Sequence, residues 1–399
     1  MPCNESKRAG VRLAFIVSHP IQYYVPLYRR LAQHADLNIK VFYTWHDGRQ
    51  PKLDRGFRQE VQWDIPLLDG YESELVSSHS TNPGSHRFFG LHNPDLMQRV
   101  LAFRPDAVHL TGYAYYSHLF AIWRCGLSRI PLLFRGDSHL LDSEPAWRRW
   151  IKVRALRQIF KRTTSCLYVG AANRNYYLSA GVPSERLIYC PHSIEVTRFS
   201  DPSDRWEREA AAWRDKLQIE PDQLVLLFAG KFEPRKRPLE LMKAMLGRDE
   251  LRGVLIMVGG GELAGEVQAL AVRHPSRFRV LPFQNQSRMP AVYRLGDVVI
   301  LPSAFGETWG LAVNEALACG RPVLVSDRVG CATDLIEPGL NGEIFEADNW
   351  QDFGKKLHSL QQIDWHRRRA ALRMASRSFD IAATEAGILT ALTIMQERS

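Results

Sequence analysis

The chain has 399 residues, a length that indicates two compact domains rather than one. Hydrophobic residues make up 45% of it and charged residues 24%, which excludes disordered, collagen-like and low-complexity proteins. The net charge of +9 arises in residues 1–200, where 26 Lys and Arg stand against 16 Asp and Glu, and this excess indicates an anionic partner such as a membrane, a lipid phosphate, an acidic glycan or a nucleic acid.

Short apolar runs alternate with helical segments along the whole chain. The runs predict strands at residues 11–17, 37–43, 107–110, 132–134 and 165–169 in the first half, and at residues 224–229, 254–258, 278–281, 298–301 and 323–326 in the second. Uninterrupted apolar runs are typical of strands covered on both faces, and their alternation with helices predicts parallel sheets.

A polar, turn-rich segment at residues 199–206 divides this pattern in two. We therefore expect an N-terminal domain over residues 1–200, a C-terminal domain over residues 201–375, and a last helix within residues 376–399 that packs back on the N-terminal domain. Two facing sheets would enclose a cleft at the carboxyl ends of their strands, where ligands of open α/β sheets bind.

The sequence indicates neither a membrane span nor a covalent framework. No run of about 18 apolar residues occurs, and residues 1–10 are polar, unlike a signal peptide. Six scattered cysteines form no CxxC pair, which argues against a structural zinc site or disulfides. We expect a cytoplasmic protein with reduced thiols.

A basic loop follows the strand at residues 224–229. Gly230 opens a turn that carries Lys231, Arg235 and Lys236 and leads into a helix. A glycine turn with several basic side chains before a helix can hold a diphosphate by charge and hydrogen bonds. The alternative is a solvated basic loop.

A second loop follows the strand at residues 298–301. It carries Glu307 and leads into a helix that we expect to begin near Trp309 or Gly310 and to end at Gly320. The first amides of that helix form an anion site, and Glu307 and Glu315 could hold sugar hydroxyls on either side of it. Each glutamate taken alone could also be a surface residue.

Taken together, the motifs of the second half resemble the donor-binding domain of the retaining family 4 glycosyltransferases. The residues that carry the resemblance are Gly230-Lys231-x4-Lys236, Pro302-Ser303, Glu307-x7-Glu315 with Gly310, Gly320-x-Pro322-Val323, and Asn341-Gly342. The resemblance implies an α/β fold of the GT-B class, in which two Rossmann-like parallel-sheet domains face a central cleft.

The resemblance also implies a binding site for a nucleoside-diphosphate sugar. Glu315 would bind the ribose, and Glu307 would contact the transferred sugar. Lys231 is a mild departure, because the family often has Arg there. The donor-binding candidates are Lys231, Arg235, Lys236, Phe283, Thr308, Trp309, Gly310, Leu311 and Glu315.

The first domain matches the family less closely. The loop after the first strand lacks the glycines of many members, and it resembles a bacterial surface-polysaccharide branch. The acceptor-side candidates are His19, Gln22, Tyr23, Arg135, Tyr71 and Tyr113. For Tyr71, Tyr113 and Trp63 the alternative is a packing role.

A histidine near the reactive face of the sugar often follows the strand at residues 132–134 in this family. That place falls on Asp137 here, and His139 lies two residues later. The catalytic candidates are therefore Glu307, Asp137 and His139, with a helix N-cap as the alternative role of Asp137.

Residues 147–162 form a predicted helix with seven Lys and Arg and no acidic residue. Its apolar residues fall on two faces instead of one stripe. It is either a helix that contacts an anionic membrane surface or a packed helix with basic edges.

These features predict a metal-independent, retaining glycosyltransferase without a cofactor. Its donor would be a nucleoside-diphosphate sugar, and its acceptor a hydroxyl of a glycan, a lipid-linked molecule or a small molecule, in glycan, polysaccharide or glycolipid synthesis. We expect no nucleic acid partner. The alternative is a regulatory protein that binds the nucleotide sugar without transferring it.

Overall fold

The computed structural model describes residues 10–46, 48, 51–142, 145–201, 203–247 and 253–397. Cys3 and most of the N-terminal segment whose polarity argued against a signal peptide lie outside these ranges. The other five cysteines are buried and free. Among the helices of the described ranges, none combines the length and the apolar character that a bilayer crossing requires.

Fifteen strands occur in the described residues, and thirteen of them form two large sheets. In chain order they are β1 (Val11–Val17), β2 (Leu37–Tyr43), β3 (Lys52–Asp54), β4 (Gln59–Val61), β5 (Glu72–Leu75), β6 (Ala107–Thr111), β7 (Leu132–Arg135), β8 (Ser165–Tyr168), β9 (Leu187–Tyr189), β10 (Leu224–Lys231), β11 (Gly253–Gly260), β12 (Phe278–Leu281), β13 (Val298–Leu301), β14 (Val323–Ser326) and β15 (Gly342–Phe345).

The α-helices of the same residues lie mostly between these strands. They are α1 (Val25–Leu31), α2 (Leu96–Ala102), α3 (Tyr116–Leu127), α4 (Ala146–Phe160), α5 (Ala171–Ser179), α6 (Val196–Phe199), α7 (Arg205–Lys216), α8 (Pro238–Leu246), α9 (Ala264–Arg273), α10 (Met289–Leu295), α11 (Leu311–Ala318), α12 (Ala332–Leu335), α13 (Trp350–Gln361), α14 (Trp365–Ala375) and α15 (Ile381–Glu397). Short 3-10 turns occur at Phe88–Gly90, Ser184–Arg186, Pro234–Lys236 and Ser376–Phe379.

The first sheet has the strand order β5-β2-β1-β6-β7-β8-β9, and the second has the order β12-β11-β10-β13-β14-β15. All neighbouring strands within each sheet are parallel. Strands β3 and β4 form a separate antiparallel hairpin. The predicted α/β architecture of two Rossmann-like parallel-sheet domains is confirmed.

Each sheet is buried on both faces. In β1, Ala14 and Ile16 pack into one hydrophobic cluster, whereas Leu13 and Phe15 pack into another on the opposite face. Strand β10 alternates between two clusters of the second domain in the same way. Burial of both faces is the reason that these strands read as continuous apolar runs.

The ten strands predicted from apolar runs are all present, and the strands that the sequence did not reveal are short. Strands β5, β9 and β15 lie at sheet edges and have three or four residues each. Two of the four residues of β5 are exposed, and β15 begins with Gly342 and Glu343. A short edge strand of this kind gives no apolar run.

Helix α15 returns from the second domain to the first. Its residues Ile388 and Leu392 are buried in the cluster that contains Leu13 and Phe15. At the edge of the same contact, the buried carboxylate of Glu385 forms an ion pair with the α1 residue Arg30 and lies within hydrogen-bond distance of His34 Nε2. The chain therefore passes between the domains twice, once before α7 and once before α15.

Candidate active site

A cleft with a cavity volume of about 510 Å³ lies between the two domains. From the first domain it is lined by the loops that follow β1, β2, β7 and β9, together with the β3–β4 hairpin and the segment after it, and from the second by the loops that follow β10, β12 and β13. These loops all leave the carboxyl ends of parallel strands, which is where the topology brings loops of both sheets together.

The basic loop after β10 forms one wall of the cleft. Lys231 ends the strand, and the 3-10 turn Pro234–Lys236 places Arg235 and Lys236 beside it. All three basic residues line the cleft. Arg235 is fixed by two hydrogen bonds, in which NH1 donates to the carbonyl of Gly306 at 2.8 Å and Nε donates to Glu233 Oε2 at 2.6 Å.

The start of α11 forms the adjoining wall. Gly310 caps this helix with φ of +96°, and a Cβ at this position would lie 2.8 Å from Val329 Cγ1. The close approach and the left-handed backbone therefore require glycine. Thr308, Trp309, Gly310, Leu311 and Ala312 all line the cleft. The amides of a first helical turn have no partner inside the helix, so this wall can receive an anion.

Glu307 lies between these two walls, and 13% of its side chain is exposed. Its Oε2 accepts hydrogen bonds from Lys236 Nζ at 2.6 Å and from Ser303 Oγ at 3.0 Å. Burial acts to raise its pKa, but the charge and hydrogen bond of Lys236, with help from Arg235 and Ser303, outweigh burial and hold the pKa below its ordinary value. Glu307 is thus an ionised carboxylate at neutral pH.

Glu315, one turn into α11 from the cleft wall, has the opposite electrostatic character. Its Oε2 accepts a hydrogen bond from Tyr293 Oη at 2.5 Å, while the buried Oε1 has no hydrogen-bond partner among the described residues. Burial raises the pKa of Glu315 to about 7, against the lowering effects of Tyr293, Arg198 and Tyr23. A buried, unsatisfied carboxylate oxygen beside a cleft is a place for a hydroxyl donor of a ligand.

Asp137 enters the cleft from the loop after β7. Its Oδ2 accepts a hydrogen bond from Thr308 Oγ1 at 2.8 Å across the domain boundary. Burial acts to raise its pKa, but His192 and Thr308 together lower it to about 2. The helix that follows, α4, begins at Ala146 after Pro145, so Asp137 does not cap it.

His139, the other candidate after β7, lies behind the cleft wall. The described residues that line the cleft do not include it. Its Nδ1 accepts a hydrogen bond from the amide of Leu141 at 3.2 Å, and its Nε2 lies 3.1 Å from the carbonyl oxygen of Glu307. With both ring nitrogens engaged, His139 connects the β7 loop to the backbone of Glu307 and does not face the cavity.

Of the acceptor-side candidates, His19, Gln22 and Tyr23 line the cleft, as does the donor-side candidate Phe283. His19 contacts Ser18 Oγ through Nδ1 at 2.9 Å and packs edge-on against Trp45. His19, Gln22 and Tyr23 belong to the loop between β1 and α1. The sequence indicated this loop because it follows the first strand.

The other three acceptor-side candidates require correction, because the structure does not bring them to the cleft. Tyr71 donates to the carbonyl of Leu67 at 2.5 Å, and Tyr113 Oη lies 2.6 Å from Tyr176 Oη inside the first domain. Arg135 is 2% exposed, and its NH2 donates to the carbonyl of Pro191 at 2.9 Å. All three residues make contacts within the first domain. For Tyr71 and Tyr113, the alternative of a packing role therefore applies.

Two family models match the chain. The model for Glycosyl transferases group 1 matches residues 209–378, and the model for a Glycosyl transferase 4-like domain matches residues 74–192. The chain belongs to glycosyltransferase family 4. The first match contains the loop after β10 and the start of α11, and the second contains the loop after β7.

Curated relatives include D-inositol 3-phosphate glycosyltransferases of actinobacteria. The Nocardia farcinica protein is 30% identical over 222 residues, which are 52% of this chain and 48% of that protein. The Rhodococcus jostii protein is 27% identical over 330 residues, 74% of this chain and 70% of that protein. The match thus spans about half of the first relative's length.

Solved structures of glycosyltransferases share the fold over nearly the whole chain. A Rickettsia africae glycosyltransferase has a TM-score of 0.73 at 13% identity and covers 98% of this chain and 100% of its own. Thermosynechococcus elongatus sucrose-phosphate synthase has the same TM-score and coverage at 19% identity. Anabaena HepE in complex with UDP and glucose has a TM-score of 0.69 at 17% identity and covers 96% and 99%. These likenesses confirm the GT-B fold.

Sequence reasoning missed the hairpin of β3 and β4 and its contacts with the second domain. Asp54 ends β3, and its carboxylate accepts hydrogen bonds from Lys231 Nζ at 2.8 and 3.2 Å. Phe57 packs against Phe283 with ring centroids 4.7 Å apart. Asp54-x-Gly56 is a typical turn sequence, and the amide of Gly56 does bond to Asp54 Oδ1, but no signal in the sequence places this turn beside Lys231.

Sequence reasoning also missed His192, in the loop after β9. It lines the cleft beside Asp137. The only available signal was its position after a strand end, and β9 is too short and too exposed to be recognised as a strand.

The contrast between the two glutamates predicts opposite effects of removing their charges. Because folding raises the pKa of Glu315 from 4.5 to about 7, the folded chain binds more protons than the unfolded chain between these pH values, and stability falls as pH rises through them. We expect Glu315→Gln to raise the free energy of unfolding at pH 8 by roughly 3 kcal/mol and to have little effect near pH 4.5. Denaturant unfolding at both pH values measures this.

Glu307→Gln is the matched control. Its lowered pKa and its ion pair with Lys236 mean that the charge stabilises the fold above the ordinary pKa, so the substitution should destabilise the protein at pH 8. A loss of stability at pH 8 in Glu315→Gln of the same sign as in Glu307→Gln would contradict the assignment for Glu315.

Proposed function

We propose that the protein transfers a sugar from a nucleoside-diphosphate sugar to an acceptor hydroxyl, with retention of anomeric configuration and without a metal ion. The family membership supports the transfer of a sugar. The observation that carries the donor assignment is the convergence of Lys231, Lys236 and the start of α11 on one cleft, with the unsatisfied Oε1 of Glu315 beside them.

The physical problem in this reaction is the departure of a diphosphate. Negative charge develops on the leaving oxygen while positive charge develops at the anomeric carbon of the sugar. Lys231, Lys236 and the first amides of α11 are placed to stabilise the leaving charge, the task that a divalent cation performs in other transferases. This is the reason for proposing that no metal is needed.

The two glutamates take different parts of the donor in this proposal. Oε1 of Glu315 would accept a hydrogen bond from the ribose, which satisfies a buried oxygen at the same time. Glu307, ionised beside Lys236, would hold the transferred sugar. The leaving phosphate oxygen could then take the proton of the acceptor hydroxyl on the same face of the sugar, which gives retention.

The donor assignment is tested with a panel of nucleotide sugars. The protein is incubated with each donor in the presence of EDTA, and the released nucleoside diphosphate is measured with and without candidate acceptors, including inositol phosphates because relatives are D-inositol 3-phosphate glycosyltransferases. We expect one donor to be hydrolysed slowly in EDTA. Loss of this activity in EDTA would contradict the metal-free proposal, and tight binding without any turnover would favour the regulatory alternative.

Removal of Lys236 should abolish most of this activity. We expect Lys236→Ala to lower kcat/KM by about 100-fold or more, because it removes a charge at the leaving group and leaves Glu307 buried without its partner. Lys243→Ala on α8 is the matched control, since this exposed lysine does not belong to the cleft lining. Equal rates for the two variants would refute the assignment of Lys236.

Asp54 occupies the position that the donor diphosphate would take on Lys231. Its carboxylate accepts two hydrogen-bond contacts from the lysine, at 2.8 and 3.2 Å. We expect Asp54→Asn to lower the dissociation constant of the nucleoside diphosphate by about 3- to 10-fold, since the diphosphate no longer displaces a carboxylate. Isothermal titration calorimetry measures this, and weaker binding in the variant would show that Asp54 supports the donor instead.

We further propose that the first domain contacts an anionic membrane beside the mouth of the cleft. The structure divides the apolar residues of α4 between two environments: Leu156 and Phe160 are buried in the core, whereas Trp147, Trp150 and Ile151 are 61, 62 and 53% exposed. The same helix carries basic residues and no acidic one. Exposed tryptophans among arginines suit the interface of an anionic bilayer.

The position of this surface favours a lipid-linked acceptor. Helices α3 and α4 follow β6 and β7, so both begin at the carboxyl edge of the sheet, where the cleft opens. At the start of α3, Tyr116 packs against Phe89, which is 64% exposed. Exposed aromatic residues near the starts of α3 and α4, such as Phe89 and Trp147, thus lie toward the edge that carries the acceptor side.

Co-sedimentation with vesicles tests the membrane proposal. We expect binding to vesicles of phosphatidylcholine with phosphatidylglycerol, weaker binding to phosphatidylcholine alone, and a several-fold loss on Trp150→Ser. Met374→Ser is the control, because Met374 is 63% exposed on the second domain. Equal binding to the two kinds of vesicle would remove the anionic membrane as a partner.

A further inference from the structure

His192 and Asp137 face each other in the cleft without a direct hydrogen bond, so a polar group that lies beside the pair can bond to both. His192 Nε2 lies 3.7 Å from Asp137 Oδ2, which is too long for a direct hydrogen bond. The two residues come from different loops, after β9 and after β7, and both line the cleft. The side chain of Asp137 is 46% exposed and lines the cleft, so a ligand can reach its carboxylate.

The imidazole of His192 is held in a fixed orientation. Tyr24 stacks on it at a centroid distance of 6.2 Å with ring planes 8° apart, and Trp309 packs against it at 5.7 Å. Only 7% of the His192 side chain is exposed. Contacts with these two rings restrict rotation of the imidazole, so Nε2 stays near Asp137.

At neutral pH the pair consists of an imidazole and a carboxylate. Burial lowers the pKa of His192, and Arg135 adds to this effect, while Asp137 opposes it. The pKa of Asp137 is about 2, so this carboxylate is ionised. The carboxylate favours the imidazole tautomer with its proton on Nε2, which makes His192 a donor and Asp137 an acceptor.

We propose that His192 and Asp137 bind one hydroxyl group of the transferred sugar between them. A hydroxyl both donates and accepts hydrogen bonds, and an oxygen about 2.8 Å from each residue would accept from His192 Nε2 and donate to Asp137. Thr308 connects this pair to the donor half, because it bonds to Asp137 and follows Glu307, the residue assigned to the sugar. The inference rests on the proposed function and names a determinant of sugar specificity within it.

The test compares binding of the nucleoside diphosphate with binding of the whole nucleotide sugar. For the donor hydrolysed best by the wild-type protein, we expect His192→Ala to weaken nucleotide-sugar binding and to lower kcat/KM by about 10- to 100-fold, with no change in the affinity for the nucleoside diphosphate. His192→Gln retains an N–H near the position of Nε2 and should recover part of the loss. His358→Ala is the control, an exposed histidine on α13 away from the cleft.

Deoxy analogues of the donor identify the hydroxyl and provide the decisive comparison. One deoxy sugar should lose affinity with the wild-type protein but show no further loss on His192→Ala, because the analogue and the variant remove the same hydrogen bond. The proposal is overturned if every deoxy donor shows the full additional loss, or if His192→Ala weakens the nucleoside diphosphate as much as the nucleotide sugar.

Failure of this inference differs from failure of the proposed function. A wild-type protein that turns over a nucleotide sugar while His192→Ala and His192→Gln behave as the wild type retains the proposed function and refutes the hydroxyl site. A wild-type protein that binds no nucleotide sugar refutes both.

Discussion

Charged side chains that are buried in the interdomain cleft must be neutralised by one another until a ligand replaces one of the partners. Lys236 is paired with Glu307 and Lys231 with Asp54, each at hydrogen-bond distance. Burying an ion without a partner costs several kcal/mol, so these pairs allow the cleft walls to carry charged side chains that are only 13 to 29% exposed. The same pairs oppose ligand binding, because a diphosphate that reaches Lys231 and Lys236 competes with the carboxylates that already bind these lysines.

The ionisation of the two glutamates follows from this constraint. Glu307 has a lysine beside it and remains ionised, whereas Glu315 accepts a hydrogen bond from the hydroxyl of Tyr293 and holds its proton up to about pH 7. Seven residues lie between them in the sequence, and both line one cleft. The second domain thus presents a carboxylate where a sugar is expected and a nearly neutral carboxyl where a ribose is expected. Different chemical partners, not different residue types, account for the contrast.

The fold was predictable from the sequence because its central strands are buried on both faces. Nine of the ten predicted strands lie inside a sheet, and the tenth, β12, is an edge strand whose first and last residues are buried; their alternation with helices was sufficient to indicate two parallel sheets. The other edge strands were not predicted, because a strand such as β9, with three residues and one side chain exposed, has no apolar run to recognise. The hairpin of β3 and β4 escaped for a related reason, since its contacts are with the other domain and no local pattern reports them.

The candidate site divides in the same way. The donor wall lies on one loop and one helix start, so residues close in sequence, such as Thr308 and Gly310, are also close in space. The acceptor wall is assembled from separate loops of the first domain, and sequence alone could not distinguish the cleft-facing Tyr23 from Tyr71 and Tyr113, which pack inside the domain. His192 illustrates the limit, because it reaches Asp137 only through the pairing of β7, β8 and β9.

The two crossings of the chain between the domains lie side by side. Ile194, ahead of the first crossing, forms a bridge with Asp380 at the second, and Ser193 Oγ lies 2.6 Å from Thr384 Oγ1. Two adjacent covalent connections permit one domain to rotate toward the other about a hinge at the connections. They resist twisting and sliding between the domains. Opening of the cleft should therefore be a hinge rotation about these two connections. Such a rotation preserves the alignment of the two walls each time the substrates change.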